Sequence, residues 1–151
     1  MADLNPRPLL IQGERETLLE RVPLDRALAS TSYSEQWLQD LLYRFPHALP
    51  AAEIDASFAG LIPACREMNT SAGAIDVLYV TPNGRLVLLE AKLWRNPESR
   101  RKVIGQILDY AKELSKWNYE TLDAAVRAAR RTESRDPKAS SLYDIVKAKR
   151  R

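Results

Sequence analysis

The strongest constraint on the fold is a turn signal, Pro82-Asn83-Gly84, between two runs of strand-forming residues. Proline favours the first corner of a type I turn and glycine favours the left-handed residue after it, which predicts a three-residue hairpin loop with a glycine bulge. That loop places Thr81 opposite Arg85. Five positions further along each arm, it places Asp76 opposite Glu90. Because opposed residues share one face of a sheet, the turn brings two carboxylates together, and a slip of one residue would separate them.

The hairpin arms are predicted to run from Ile75 to Thr81 and from Arg85 to Trp94, after an earlier strand from Leu61 to Met68. Leu86 to Leu89 is apolar at every position, which is typical of a strand covered on both faces in an α/β sheet. Residues 46 to 60 are predicted as a loop, and residues 1 to 30 as an irregular or strand-like segment with one helical turn from Thr17 to Arg21. These patterns predict an α/β fold.

Apolar residues at helical spacing predict four helices, at Ser32 to Phe45, Asn96 to Trp117, Tyr119 to Arg131 and Ser141 to Arg151. In the second of these, the predicted buried stripe is Val103, Ile104, Ile107, Leu108, Ala111 and Leu114. We therefore expect one domain overall, with a core over residues 31–118 and a helical, basic extension over residues 119–151.

Composition excludes several classes of protein. The chain has 151 residues, of which 45% are hydrophobic and 28% charged, with a net charge of +3, which is typical of a folded domain rather than a disordered one. No apolar run approaches the ~18 residues of a membrane helix, and residues 1 to 16 lack a secretory signal, so we expect a cytoplasmic location. The lone cysteine, Cys65, and lone histidine, His47, exclude an internal disulfide and a Cys/His zinc site.

Three charged side chains are predicted to converge at the end of the hairpin. Alternation along the strand puts Glu90 and Lys92 on one face, with Ala91 pointing away, and the turn adds Asp76. Two ionised carboxylates about 5 Å apart repel each other, and a divalent cation relieves that repulsion. Oxygen ligands alone suit Mg²⁺ or Mn²⁺, and a lysine beside such a metal can position or deprotonate a water for attack on phosphorus.

Asp76, then Glu90-Ala91-Lys92, then Gln106 to Tyr110 follow one another in an order that resembles the PD-(D/E)xK phosphodiesterase superfamily, the restriction-endonuclease-like nucleases. The resemblance runs from Glu35 to Trp117, and Ile75 stands where the superfamily has proline. It implies a mixed β-sheet flanked by helices, and metal binding by Asp76, Glu90 and the carbonyl of Ala91. It also implies that Lys92 serves the attacking water in a magnesium-dependent endonuclease, a hydrolase of phosphodiester bonds in DNA in preference to RNA.

Glu35 and the Gln106/Tyr110 pair each have a functional and a structural interpretation. Glu35 shares a helix face with Leu38 and Leu42, so it points inward, and the resemblance implies that it helps to hold the metal. Alternatively, residues 32 to 35 form a capping box. Gln106 and Tyr110 lie four positions apart beside the buried stripe. The resemblance implies that Gln106 supports the site by hydrogen bonding and Tyr110 by packing or phosphate contact; alternatively they are an ordinary boundary pair.

A basic cluster follows the predicted site and is a candidate surface for nucleic acid. Arg95 follows the strand, and Arg100, Arg101 and Lys102 lie in the first turns of the next helix, near Trp94. Basic residues at a helix start oppose the helix dipole, so a purely stabilising role explains them less well than phosphate binding. The alternative is a solvated helix face.

Two other functions remain open from the sequence. The fold can serve as a nucleic-acid-binding module without turnover, or Asp76, Glu90 and Lys92 can be paired ions in a structural or protein-interaction domain. In addition, residues 118–151 show no strand pattern, although folds of this type usually have another strand after the Gln106 helix. An exposed sheet edge needs cover, and a homodimer is the simplest way to supply it.

Overall fold

A computed structural model of the chain describes residues 7–20, 34–92, 97–134 and 139–149, with the side chains of residues 97–100 excluded. The chain divides into two compact units, Met1–Tyr33 and Ser34–Arg151. Within the described ranges no helix is long and apolar enough to cross a membrane.

The first unit contains an antiparallel hairpin of β1 (Leu9–Gln12) and β2 (Arg15–Leu18). Gly13 takes a φ of +61° at the turn, a left-handed conformation that glycine adopts without steric cost. The helical turn predicted from Thr17 is wrong over its described residues, because Thr17 pairs with Leu10 in the hairpin. Arg21, where that turn was to end, lies outside the described residues.

The second unit is a mixed α/β structure whose three-stranded sheet has the order β3 (Ile62–Thr70), β4 (Gly73–Val80), β5 (Leu86–Leu89). Both strand pairings are antiparallel, so the parallel pairing expected of a mixed sheet is not among the described strands. The central strand β4 is buried at every residue from Ile75 to Val80, whereas β5 is an edge strand that is only half-buried. The prediction that β5 is covered on both faces is therefore wrong, because a sheet edge is less shielded than its centre.

The predicted hairpin register is confirmed. Val77 pairs with Leu89, and Val80 pairs with Leu86. The Thr81 amide donates to the Arg85 carbonyl at 2.9 Å, and the Gly84 amide donates to the Thr81 carbonyl at the same distance. Gly84 has a φ of +82°, as the bulge position of this loop requires.

Five α-helices occur in the described part of the chain: α1 (Glu35–Arg44), α2 (Ala51–Ile54), α3 (Pro97–Leu114), α4 (Tyr119–Ser134) and α5 (Leu142–Lys149). The four helices predicted from apolar spacing are thus present. The predicted loop over residues 46–60 contains α2 and two short 3-10 turns, Pro46–Ala48 and Ala56–Phe58. No strand follows α3 in the described ranges 97–134 and 139–149, as the sequence pattern indicated.

The main core lies between the sheet and the three C-terminal helices. Met68 and Leu78 of the sheet pack in one cluster with Tyr110 of α3, Val126 of α4 and Leu142 of α5. The C-terminal helices therefore complete the same compact unit as the sheet.

Helix α3 is rotated relative to its predicted buried stripe. Ile104 and Leu108 are 62% and 63% exposed, while Tyr110 is only 3% exposed. The predicted burial of Ile104, Leu108 and Ala111 is therefore wrong, although Ile107 and Leu114 do pack against the core. The helix turns its Tyr110 face to the sheet, where the tyrosine hydroxyl finds a backbone acceptor.

Candidate functional site

Asp76 lies in the middle of the central strand β4 and is 7% exposed. Its Oδ2 atom accepts a hydrogen bond of 2.7 Å from the backbone amide of Ala91. The confirmed register explains this contact, because Asp76 and Glu90 occupy the next opposed positions beyond the Val77–Leu89 pair. A buried carboxylate is thereby fixed against the chain that carries Glu90 and Lys92.

The side chain of Glu90 is only 2% exposed, and its Oε1 atom lies 2.9 Å from Nζ of Lys92. Its Oε2 atom is buried and has no hydrogen-bond partner among the described residues. Burial raises the pKa of Glu90, and the negative charges of Asp76 and Glu35 raise it further against the opposing effect of Lys92. A buried carboxylate oxygen without a partner is uncommon in folded proteins and indicates a position for a cation or a donor.

Lys92 forms ion pairs with two carboxylates, because its Nζ atom lies 3.3 Å from Oε2 of Glu35 as well as close to Glu90. Burial lowers the pKa of Lys92, but the hydrogen bond and charge of Glu90, followed by those of Glu35, outweigh it and raise the pKa overall. Lys92 is therefore an ammonium at neutral pH. In this arrangement it can donate hydrogen bonds to a water or a phosphate but cannot accept a proton.

Glu35 is the first residue of α1, and Ser34 is the cap of the helix. The Ser34 hydroxyl accepts from the Trp37 amide at 3.0 Å. A capping box over residues 32–35 would put Glu35 at the third helical position, so that structural alternative is wrong. The helix start instead directs Glu35 to Lys92, which comes from a distant part of the sequence.

Tyr110 and Gln106 attach α3 to the strand that carries Asp76. The Tyr110 hydroxyl donates to the Ala74 carbonyl at 2.8 Å, two residues before Asp76. Burial and the charge of Glu90 raise the pKa of Tyr110, and a hydrogen bond with Gln106 partly opposes this rise. Beside the ring, Gly73 has a φ of +122°, which glycine adopts without strain, and a Cβ there would make only ordinary contact with the tyrosine oxygen, at 3.5 Å. Tyr110 thus holds α3 against the start of β4, and Gln106 contacts the hydroxyl that makes this bond.

The structure leaves part of the predicted basic cluster untested. Arg101 and Lys102 are exposed on α3. Arg95 lies outside the described residues, and for Arg100 only its place in the helix is described. Away from the site, His47 is exposed and Cys65 is buried, as predicted, and burial raises the pKa of the Cys65 thiol to about 12.

The donor set partly fits a hard cation. Asp76, Glu90 and the Ala91 carbonyl offer only oxygen, and Oε2 of Glu90 is buried without a partner. However, among the described residues there is no group of three or more His, Cys, Asp or Glu side chains that could hold a metal. Glu35 pairs with Lys92 rather than completing such a group. The residues therefore fit a site of two carboxylates and a carbonyl, as for a cation that keeps several of its waters.

Two contributors to the site escaped prediction from the sequence. The acceptor for Tyr110 is the backbone carbonyl of Ala74, and every residue has such a carbonyl, so no residue pattern reveals it. Gly73 supplies the positive φ of +122° at the start of β4 beside that ring, but in the sequence it reads only as a turn residue between two strands.

In comparisons with protein-family models, with curated proteins and with solved structures, nothing matches this chain.

Proposed function

We propose that this chain is a metal-dependent nuclease of the restriction-endonuclease-like type that hydrolyses phosphodiester bonds, with DNA favoured over RNA. The observation that carries the proposal is the buried Glu90 carboxylate. One of its oxygens pairs with Lys92, and the other has no partner in the described structure while Asp76 lies opposite. Two buried acids with one lysine beside them lower the stability of the fold, and a bound cation would offset that cost.

Each residue has a distinct role in the proposed site. Asp76, Glu90 and the Ala91 carbonyl would hold Mg²⁺ or Mn²⁺, which when bound offsets negative charge on phosphate oxygens. Lys92, as an ammonium, orients the attacking water or the phosphate by donating hydrogen bonds. Glu35 keeps the Lys92 side chain in place, with its Oε2 atom 3.3 Å from the ammonium.

The surroundings supply support and binding surface. Gln106 and Tyr110 hold the Asp76 strand against α3. Arg101 and Lys102, with Arg95 and Arg100 in the same stretch of sequence, supply positive charge for a polyanionic backbone. The order of α1, three antiparallel strands and α3 around the two acids supports the restriction-endonuclease-like interpretation of the fold.

A second candidate function is favoured by the position of Lys92. Its ammonium lies between Glu90 and Glu35, so the three charged side chains already form an ion-paired cluster. In that case the domain has a structural role or binds a partner without catalysing a reaction. The exposed basic residues then either bind nucleic acid without cleavage or have no binding role.

The test is cleavage of labelled DNA and RNA of several structures with Mg²⁺, Mn²⁺ or EDTA. The wild type is compared with Lys92→Ala and Asp76→Asn. The matched control is Lys116→Ala, because Lys116 also pairs with a glutamate, Glu113, at 2.8 Å but lies away from the site. The proposal predicts metal-dependent products that both site variants reduce about 100-fold or more, while the control keeps its activity.

Other outcomes distinguish the alternatives. Salt-sensitive binding without cleavage indicates a nucleic-acid-binding module. If there is neither binding nor cleavage, and Mg²⁺ leaves the thermal midpoint unchanged, the ion-paired cluster is structural, because a ligand held by the native state raises stability.

A further inference from the structure

A cavity of about 260 Å³ lies between α1, β3 and α4. Its polar lining includes amide and hydroxyl side chains, which are Gln36, Gln39, Asn69 and Thr132. Methyl groups of Ala125, Ala128 and Ala129 on α4 form an apolar wall. The lining therefore combines groups that donate and accept hydrogen bonds with a surface that can pack against a planar ring.

Gln39 is the most informative side chain of this cavity. The residue is only 7% exposed, yet it lines the cavity, and its amide makes no hydrogen bond within the described part of the chain. The amide atoms are not among the fully buried polar atoms that lack a partner, so they reach the cavity, where water or a polar ligand can bind them. Gln39 thus offers a hydrogen-bond donor and an acceptor to a group that enters the cavity.

Two residues of the cavity lining are neighbours, in the chain or in the sheet register, of residues of the candidate nuclease site. On α1, Gln36 directly follows Glu35. On β3, Glu67 lines the cavity and lies between the pairs Arg66–Val77 and Met68–Ile75, which puts it opposite Asp76. Glu67 has a φ of +49°, a conformation that is strained for a residue with a side chain and that clusters at ligand sites.

We propose that this cavity accepts one nucleobase of the strand whose backbone is cleaved at the Asp76, Glu90 and Lys92 site, an inference that rests on the proposed function. Glutamine and asparagine amides bind base edges through paired donors and acceptors. The methyl groups of Ala125 and Ala128 pack against the ring face. A base that enters the cavity leaves the stack of its neighbours, as in enzymes that extrude a nucleotide.

The test measures base insertion without cleavage, using single-stranded DNA that contains one 2-aminopurine, in EDTA. Stacking quenches this base, and no aromatic side chain lines the cavity among its described residues, so insertion brightens it. Fluorescence anisotropy of an end label reports total binding in the same samples. Ala128→Leu fills the cavity, and Ala124→Leu is the matched control, since Ala124 is an exposed alanine of the same helix outside the lining.

We expect severalfold brightening with the wild type and Ala124→Leu. We expect Ala128→Leu and Gln39→Leu to abolish the brightening and to weaken DNA binding about tenfold. Equal brightening in both alanine variants, or DNA binding by the wild type without brightening, overturns the base cavity while leaving the nuclease proposal intact.

Two further measurements distinguish a site for a free nucleotide from a failure of the proposed function. If the free 2-aminopurine mononucleotide brightens on binding while the oligonucleotide does not, the cavity takes a free nucleotide and the inference about the cleaved strand is wrong. If the wild type neither binds nor cleaves any DNA or RNA, the proposed function fails and this inference fails with it.

Discussion

At the scale of single residues, Glu90 and Lys92 determine what the site can do. Glu90 places a carboxylate where almost no solvent reaches it, and Lys92 neutralises only one of its oxygens. The raised pKa of Lys92 makes it a hydrogen-bond donor, so in the proposed hydrolysis the proton of the attacking water would pass to another group, such as a second water or a phosphate oxygen. Burial of this acid therefore lowers stability at neutral pH, where the Glu90 carboxylate is favoured in water over the protein interior.

The burial of the ionised Glu90 carboxylate predicts that the stability difference between Glu90→Gln and the wild type depends on pH. Burial raises the pKa of Glu90 above its ordinary value of 4.5, so the folded state holds the proton more tightly than the unfolded state. The stability contributed by Glu90 is complete below pH 4.5 and is lost as the pH rises through the raised pKa. The free energy of unfolding of Glu90→Gln, relative to wild type, should therefore increase from pH 4.5 to 7.

Urea denaturation in EDTA at several pH values measures this difference. Glu53→Gln, which removes a carboxylate at an exposed position, is the control for loss of one negative charge. Parallel curves for wild type and Glu90→Gln would contradict the proposed burial cost.

At the scale of elements, the β4–β5 hairpin assembles the acids. Its three-residue loop sets the register, and the register sets Asp76 opposite Glu90 beyond the last pair. Gly84 is the position on which that loop depends, because a φ of +82° is unfavourable for a residue with a Cβ. Helix α3 then presses Tyr110 against the start of β4 and keeps the Asp76 strand in place.

Two glycine-to-alanine variants test the role of the loop. A Cβ at Gly84 or at Gly105 meets nothing within 4 Å, so steric contact is the same in both and only backbone conformation differs. Gly84→Ala should lower the free energy of unfolding by about 1–2 kcal/mol. Gly105→Ala, within α3, should raise it by up to about 1 kcal/mol. Urea denaturation measures the free energy of unfolding of both variants. If Gly84→Ala leaves it unchanged, the loop can adopt a turn type that does not need glycine at this position.

At the scale of the whole molecule, the second unit contains a three-stranded sheet whose two edge strands have no further strand beside them in the described part of the chain. The edge strand β5 has a paired neighbour on one side only among the described strands. Helix α3 exposes Ile104 and Leu108, which are apolar and one turn apart. Open edges and apolar patches are surfaces that a second chain can cover. We therefore propose a homodimer that uses the exposed face of α3.

Sedimentation velocity tests this assembly. We expect a dimer for the wild type and a shift toward monomer for Leu108→Lys, with at least about tenfold weaker self-association because a charge is placed at an apolar contact. Ile54→Lys is the control, since Ile54 is 82% exposed but lies on α2. A wild type that sediments as a monomer throughout the accessible concentration range would exclude the dimer.

The sequence by itself determined the parts of the protein that depend on local conformational preference. Proline and glycine at fixed positions select one loop, and that loop fixes the register and the pairing of Asp76 with Glu90. The end of α1 also follows a local signal, which is the proline after Phe45. These features could be predicted because few residues, close in the chain, control them.

Only the tertiary structure decided which surfaces meet. Apolar spacing on α3 allows more than one buried face, and contact with the sheet selected the face of Tyr110 instead of Ile104 and Leu108. Strand composition likewise did not show that β5 is an edge. The pairing of Lys92 with Glu35 joins residues far apart in the chain. Such contacts depend on packing between distant segments, and no local preference encodes them.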